Sequence, residues 1–154
     1  MQVTETADNK TIIRNTLAKK VVATFESLAP TNIQTLRQIY TEDVSFEDPA
    51  HGIQGLETLI SYFESLYQNL EDCQFKFHKT VASNEDLFLT WTMLIKHKKN
   101  RYGEVIRVEG ASYFKTRAGK VFYHRDYFDL GALVYENVPL LGSLIRYIRS
   151  RLGQ

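Results

Sequence analysis

A single cysteine, Cys73, among 154 residues rules out an intramolecular disulfide, so packing and hydrogen bonds must hold this chain folded. Glycine-rich phosphate loops and nucleophile elbows are missing, which removes the usual signatures of nucleotide binding and serine hydrolysis. The four histidines, His51, His78, His97 and His124, stand far apart with no paired ligand spacing, so no metal and no cofactor are expected. Basic and acidic side chains number 19 and 18, for a formal charge of +1, and no nucleic-acid partner is expected. No apolar run approaches bilayer length, and residues 1–10 are polar and acidic where a secretory leader would be basic and then apolar. The expectation is therefore a soluble, cytoplasmic protein.

What is present reads as one domain with a single core. Residues 1–10 form a flexible arm, 11–136 the domain, and 137–154 a basic amphipathic helix. From Thr11 the apolar residues Ile13, Leu17, Val21, Phe25 and Leu28 recur at helical spacing until Ala29-Pro30. Thr31-Asn32-Ile33-Gln34 has the form of a capping box and predicts a short second helix. Val44-Ser45-Phe46-Glu47 alternates as a strand, stopped by Asp48-Pro49. After Gly52 and Gly55, the residues Leu56, Leu59, Ile60, Phe63, Leu66, Tyr67 and Leu70 form the cleanest helical stripe, whose burial contributes on the order of 10 kcal/mol before chain entropy.

Residues 73–129 read as strand. Cys73, Phe75 and Phe77 alternate with Gln74, Lys76 and His78, giving one dry and one wet face. Trp91 shares a face with Leu89, Met93 and Ile95 in a strand apolar on both sides. Residues 96–103 are a basic connector, best read as a solvated hairpin tip. Gly110 in the middle of the next strand predicts a bulge or a bend around something bulky. The last strand organises the chain. Strict alternation along it places Phe122, His124, Asp126 and Phe128 on one face, an imidazole and a carboxylate between two phenylalanines. A carboxylate among rings must be paired, hydrogen-bonded or protonated, and marks either a structural pair or a site. Beyond Pro139 the stripe Leu140, Leu141, Leu144, Ile145, Ile148 and Leu152 carries Arg146, Arg149 and Arg151 on its other sides. Docking on its own domain is favoured over contact with an anionic membrane.

Helices first and then a run of strands describes an α+β domain with helices gathered on one face of an antiparallel sheet. That order, the Phe46-Glu47-Asp48-Pro49 break leading into Gly52-Ile53-Gln54-Gly55, and His124-Arg125-Asp126-Tyr127-Phe128-Asp129 together resemble the nuclear transport factor two-like superfamily. Its members include ketosteroid isomerases, limonene epoxide hydrolases and SnoaL-like polyketide cyclases. Over residues 11–133 the resemblance implies a cone, a strongly bent antiparallel sheet wrapped around N-terminal helices, with a homodimer formed through the sheet. Activity does not follow from this fold, which hosts enzymes and plain binding modules. In the isomerases the aspartate of the Glu-Asp-Pro break is the general base, and Asp48 occupies that place. Their oxyanion tyrosine falls near Thr24 and their protonated aspartic acid near Gly110 or Ala111, so dienolate stabilisation is lost. Asp126 stands where the epoxide hydrolases keep one of two catalytic aspartates, but their arginine and second aspartate fall near Trp91, Thr92, Met93 and Leu94.

Two readings follow. In the first, a hydrophobic pocket lined by Trp91, Met93, Phe122, Phe128 and Tyr113 binds a small apolar or polycyclic compound. Asp126 and His124 stand at its polar end and Asp48 near its mouth, able to run cofactor-independent isomerisation, cyclisation or hydrolysis by acid/base chemistry. In the second, Asp126 pairs with His124 for structure in a non-catalytic dimeric module, whose outer face, with Lys76, His78, Arg107 and Glu109, meets a partner.

Overall fold

The computed structural model describes residues 3–83, 85–98, 104–133 and 141–152. Helix α1 (Val3–Glu26) begins eight residues before the predicted start at Thr11, and buries Leu17, Ala18, Val21 and Phe25 at three- and four-residue spacing. A 3₁₀ helix, Ile33–Gln38, follows, but not through a capping box. Asn32 closes the turn instead: its Oδ1 accepts the Ala29 N–H at 2.7 Å and its Nδ2 donates to the Ser27 carbonyl at 2.8 Å. Leu36 and Ile33 are buried beneath it.

Strand β1 (Tyr40–Glu47) is longer than the four residues that alternation reveals. It turns at Asp48 into a short strand β2 (Gly52–Gln54), for which no strand was expected from the sequence. Gly55 takes φ 85°, a left-handed value that favours glycine, and leads into α2 (Leu56–Gln68). Of the seven predicted stripe residues, Leu56, Leu59, Ile60, Phe63 and Tyr67 are buried in α2, Leu66 is partly exposed, and Leu70 opens the next strand. The strands β3 (Leu70–Ser83), β4 (Asp86–His97), β5 (Ile106–Arg117) and β6 (Lys120–Phe128) then pair consecutively and antiparallel. One helical turn, α3 (Leu130–Leu133), starts at Asp129, whose Oδ1 accepts the N–H groups of Gly131 and Ala132. Helix α4 (Leu141–Arg151) leaves Leu144, Tyr147 and Ile148 exposed, with its Arg149 paired to Asp129. The tip of the basic connector, residues 99–103, and the Pro139 break lie outside the described residues. No described helix is long and apolar enough to cross a membrane.

The sheet order is β2-β1-β6-β5-β4-β3, and β1 runs parallel to β6. The all-antiparallel expectation is corrected at that one pair. Consecutive strands joined by hairpins must be antiparallel, whereas β1 reaches β6 only after α2 and four more strands, a connection long enough to permit either direction.

Two features of this sheet set the interior. Lys115 opposes Tyr123 and Thr116 opposes Val121, so Phe122 is an extra residue in β6 and alternation resets there. Val121 is therefore fully buried, while Phe122 lies half-buried against the Arg117 guanidinium at 5.0 Å. The second feature is Gly110, which faces Trp91 across the ladder. A Cβ there would stand 2.3–2.8 Å from three carbons of the indole, so the bulky neighbour expected from the mid-strand glycine is Trp91. Gly110→Ala is expected to lower stability by about 1–3 kcal/mol through overpacking, read as a drop in the urea midpoint. An unchanged midpoint would refute this account of Gly110.

Candidate functional site

Tyr40, Trp91, Ser112, His124 and Asp126 come from four different strands and form one hydrogen-bonded chain. The Trp91 indole N–H donates to Ser112 Oγ at 2.8 Å, and the Ser112 hydroxyl donates to Asp126 Oδ1 at 2.5 Å. His124 Nε2 meets the same Oδ1 at 2.7 Å, and the Tyr40 hydroxyl lies 2.6 Å from His124 Nδ1. Burial, reinforced by the Asp126 charge, raises the Tyr40 phenol well above its ordinary range, so this hydroxyl keeps its proton. In the neutral tautomer that carries its proton on Nε2, toward the carboxylate, Nδ1 accepts from this hydroxyl. Both ring nitrogens of His124 are thus engaged.

The imidazole is 2% exposed and sits among aromatic rings, with Phe114 stacked at 4.2 Å and the edge of Phe46 at 4.9 Å between centroids. It belongs to the core rather than to any opening. Asp126 differs, because its side chain keeps 18% of its surface exposed. That surface faces a cavity of about 250 Å³ between α2 and the sheet, bordered by α3 and walled chiefly by apolar side chains. Trp91, Met93 and Phe128 line this cavity, as does Asp48, whereas Phe122 and Tyr113 do not. The bulge removes Phe122. Tyr113 falls on the opposite face of β5, where its hydroxyl donates to Asp86 at 2.7 Å and its ring meets Tyr123. Sequence reasoning missed Phe46, Tyr62, Phe63, Tyr67, Cys73 and Phe75, all of which line the cavity too. The helical stripe signals burial for Phe63 and Tyr67, but no local pattern separates a residue that fills a core from one that borders a void.

Asp48 lies in the cavity wall with its oxygens occupied. Its Oδ1 accepts the N–H groups of Ala50 and His51 at 2.7 Å each, its Oδ2 accepts the Tyr62 hydroxyl at 2.9 Å, and His51 Nδ1 approaches both at 3.0 Å. Side chains that follow a strand break and bond the backbone two and three residues on are turn-formers. The neighbouring Tyr62 is raised far above its usual range by burial first and by the Asp48 charge second, so it stays a donor. Among the described residues no group of three or more histidine, cysteine or acidic side chains is placed to hold a metal ion.

A curved mixed sheet with helices packed against it is the cone fold of the nuclear transport factor two-like superfamily. The SnoaL-like domain family matches residues 21–124, and the chain belongs to that family. No curated protein sequence matches it. Among solved structures it is similar to a protein of Jannaschia sp. CCS1 provisionally named a SnoaL-like polyketide cyclase, at 15% identity and TM-score 0.68, covering 79% of this chain and 90% of that one. A LEH-like epoxide hydrolase of M. tuberculosis matches at 16% identity and TM-score 0.65 over 87% and 96%. A protein of Catenulispora acidiphila with a ketosteroid isomerase-like fold, in complex with trimethylamine, matches at 16% identity and TM-score 0.68 over 77% and 88%. At such identities the likeness is one of fold.

Proposed function

We propose that this SnoaL-like domain binds a small apolar compound in the cavity behind Asp126 and performs cofactor-independent acid/base chemistry on it, of the isomerase, cyclase or hydrolase kind. The observation that carries this reading is the asymmetry of the Asp126 carboxylate. Oδ1 is fixed by Ser112 and His124, and the side chain retains exposure toward a largely apolar space. A base held in orientation by one oxygen and presented by the other is what proton transfer requires. Asp126 takes the proton, from the compound or from a water beside it. His124 and Tyr40 act through Asp126 as positioning residues, and Asp48 serves the loop 48–51 and the cavity mouth. Trp91, Met93 and Phe128 supply the apolar contact. A steroid-sized polycycle needs on the order of twice the volume present, taking an apolar cavity of about 150 Å³ per benzene ring as the scale. Smaller mono- and bicyclic compounds fit.

The rival reading, a non-catalytic dimeric module, is favoured by one observation, that Asp126 Oδ1 also ties β5 to β6. For its interface we propose the outer sheet face, where Phe88, Leu94 and Tyr127 are exposed beside the Arg107–Glu109 pair, Lys76 and His78. For α4, with its exposed apolar residues and three arginines, contact with an anionic membrane stays the lesser proposal, since Arg149 is already held by Asp129.

A thermal-shift screen of wild type and Asp126→Asn against monoterpenoid and bicyclic ketones and epoxides tests the function. A ligand that binds only the folded state raises the midpoint. The expected result is a shift in wild type that changes in Asp126→Asn, with turnover of that compound class in wild type alone. No shift with any compound would favour the module.

A further inference from the structure

Among the described residues, six ionisable side chains line the cavity: Asp48, His51, Tyr62, Tyr67, Cys73 and Asp126. Four of them are out of proton chemistry near neutral pH. Burial raises the phenols of Tyr62 and Tyr67 far above their usual range and pushes the Cys73 thiol up to about 11, so all three keep their protons. The Asp48 side chain is 4% exposed and already accepts from two backbone N–H groups and the Tyr62 hydroxyl. Asp126 and His51 remain, a carboxylate and an imidazole. His51 is built into the turn at three points: the Asp48 N–H donates to its carbonyl at 3.0 Å, its own N–H donates to Asp48 Oδ1 at 2.7 Å, and its Nδ1 stands 3.0 Å from both carboxylate oxygens. Facing an ionised carboxylate, which only accepts, Nδ1 carries a proton and Nε2 is the position that exchanges one. Nε2 has no hydrogen-bond partner among the described residues, and the side chain is 52% exposed where it borders the cavity, so a ligand can reach it.

The same end of the cavity holds Asp126. Glu47 of β1 and Arg125 of β6 are register partners, and Asp48 and Asp126 each follow by one residue. Tyr62, bonded to Asp48 and with its ring 5.1 Å from that of His51, also feels the Asp126 charge. Resting on the reading that this cavity binds a small molecule from which Asp126 takes a proton, we propose that His51 is a second catalytic residue. From Nε2 it gives a proton to a ligand oxygen while Asp126 removes one from the neighbouring carbon. The substrate class is then an apolar mono- or bicyclic ketone with a hydrogen on the carbon next to its carbonyl. The C–H electron pair becomes the C=C bond, the C=O π pair takes the His51 proton as an O–H bond, and the product is the neutral enol. The same transfers run backward return a proton to carbon and restore both groups. Acid and base acting together avoid a free enolate, whose charge this largely apolar wall would leave unpaired. Asp48 is a positioning residue that acts through His51.

1-Indanone, of about ten non-hydrogen atoms, matches a cavity of about 250 Å³ on the scale of benzene in about 150 Å³. Calorimetric titration of the full chain with 1-indanone and with indane, its oxygen-free counterpart, reads binding. Deuterium uptake at the carbon next to the carbonyl, followed by proton NMR in heavy water, reads the proton transfer. Wild type is expected to bind 1-indanone and speed this exchange with a bell-shaped pH profile, falling at low pH as Asp126 gains a proton and at high pH as His51 loses one. His51→Gln keeps a side-chain N–H for Asp48 but exchanges no proton near neutral pH. It should hold the dissociation constant within about twofold, lose about 10²-fold or more of the protein-dependent exchange, and lose the alkaline limb of the profile. Exchange that Asp126→Asn abolishes and His51→Gln leaves intact, alkaline limb included, overturns the role of His51 and leaves Asp126 as the base. Loss of binding and of melting temperature in His51→Gln also overturns it, since His51 then serves only the turn. So does a wild type that binds 1-indanone without exchange. If neither 1-indanone nor indane binds wild type, the small-molecule reading itself fails.

Discussion

Replacing His124 by alanine is expected to cost about 3–5 kcal/mol of stability, the range for truncating a buried aromatic ring. The imidazole is packed against Phe114, Phe46 and Phe25, so its loss opens a cavity in the centre of the core. It also strands the Tyr40 hydroxyl, which is fully buried and, among the described residues, bonds only to His124 Nδ1. Against a typical domain stability of about 5–15 kcal/mol this is a large fraction. In urea, with a slope of roughly 2 kcal/mol per molar, the midpoint should fall by about 2 M. His124→Phe keeps the ring volume and isolates the polar part of the effect. It should still lose about 1–3 kcal/mol, because the Tyr40 hydroxyl is left buried without a partner. A His124→Phe protein as stable as wild type would show that the Tyr40–His124–Asp126 chain is incidental to the fold.

Asp126→Asn and Asp126→Ala are expected to part company in stability and agree in activity. The Asn carbonyl can occupy the position of Oδ1 and accept from both Ser112 and His124, with its amide group toward the cavity, so stability should stay within about 1 kcal/mol of wild type. Alanine leaves a buried serine hydroxyl and an imidazole N–H without an acceptor, at a cost of about 2–4 kcal/mol. On a compound identified by the screen, both should lose turnover by roughly 10²–10⁴, the usual contribution of a general base. If Asn destabilises as much as Ala, the negative charge itself holds β5 to β6, and the structural reading of Asp126 prevails. If Asn retains full turnover, Asp126 is not the base.

Period-two alternation, which depends only on backbone geometry, made part of the candidate site legible. It put Leu89, Trp91, Met93 and Ile95 on one face of β4 and His124, Asp126 and Phe128 on one face of β6, and all of these face inward. The same rule failed at Phe122, because the bulge that resets β6 is a property of its pairing with β5. It also could not tell that His124 is enclosed while Asp126, two residues on, meets open space. Gly110 was legible as a close approach, and the identity of the approaching group was not.

The chain by itself determined the order of elements, their inward faces and the absence of disulfides, since each follows from local spacing or composition. Tertiary structure alone decided that β1 lies parallel to β6 and so carries Tyr40 to His124, a partner 84 residues away. It also decided that Asp48 is spent on the turn 48–51 and on Tyr62, and that Tyr67 borders a void. The physical reason is common to all three. A side chain's direction is set by its own backbone, whereas its hydrogen-bond partners and the empty space beside it are set by segments far away in sequence.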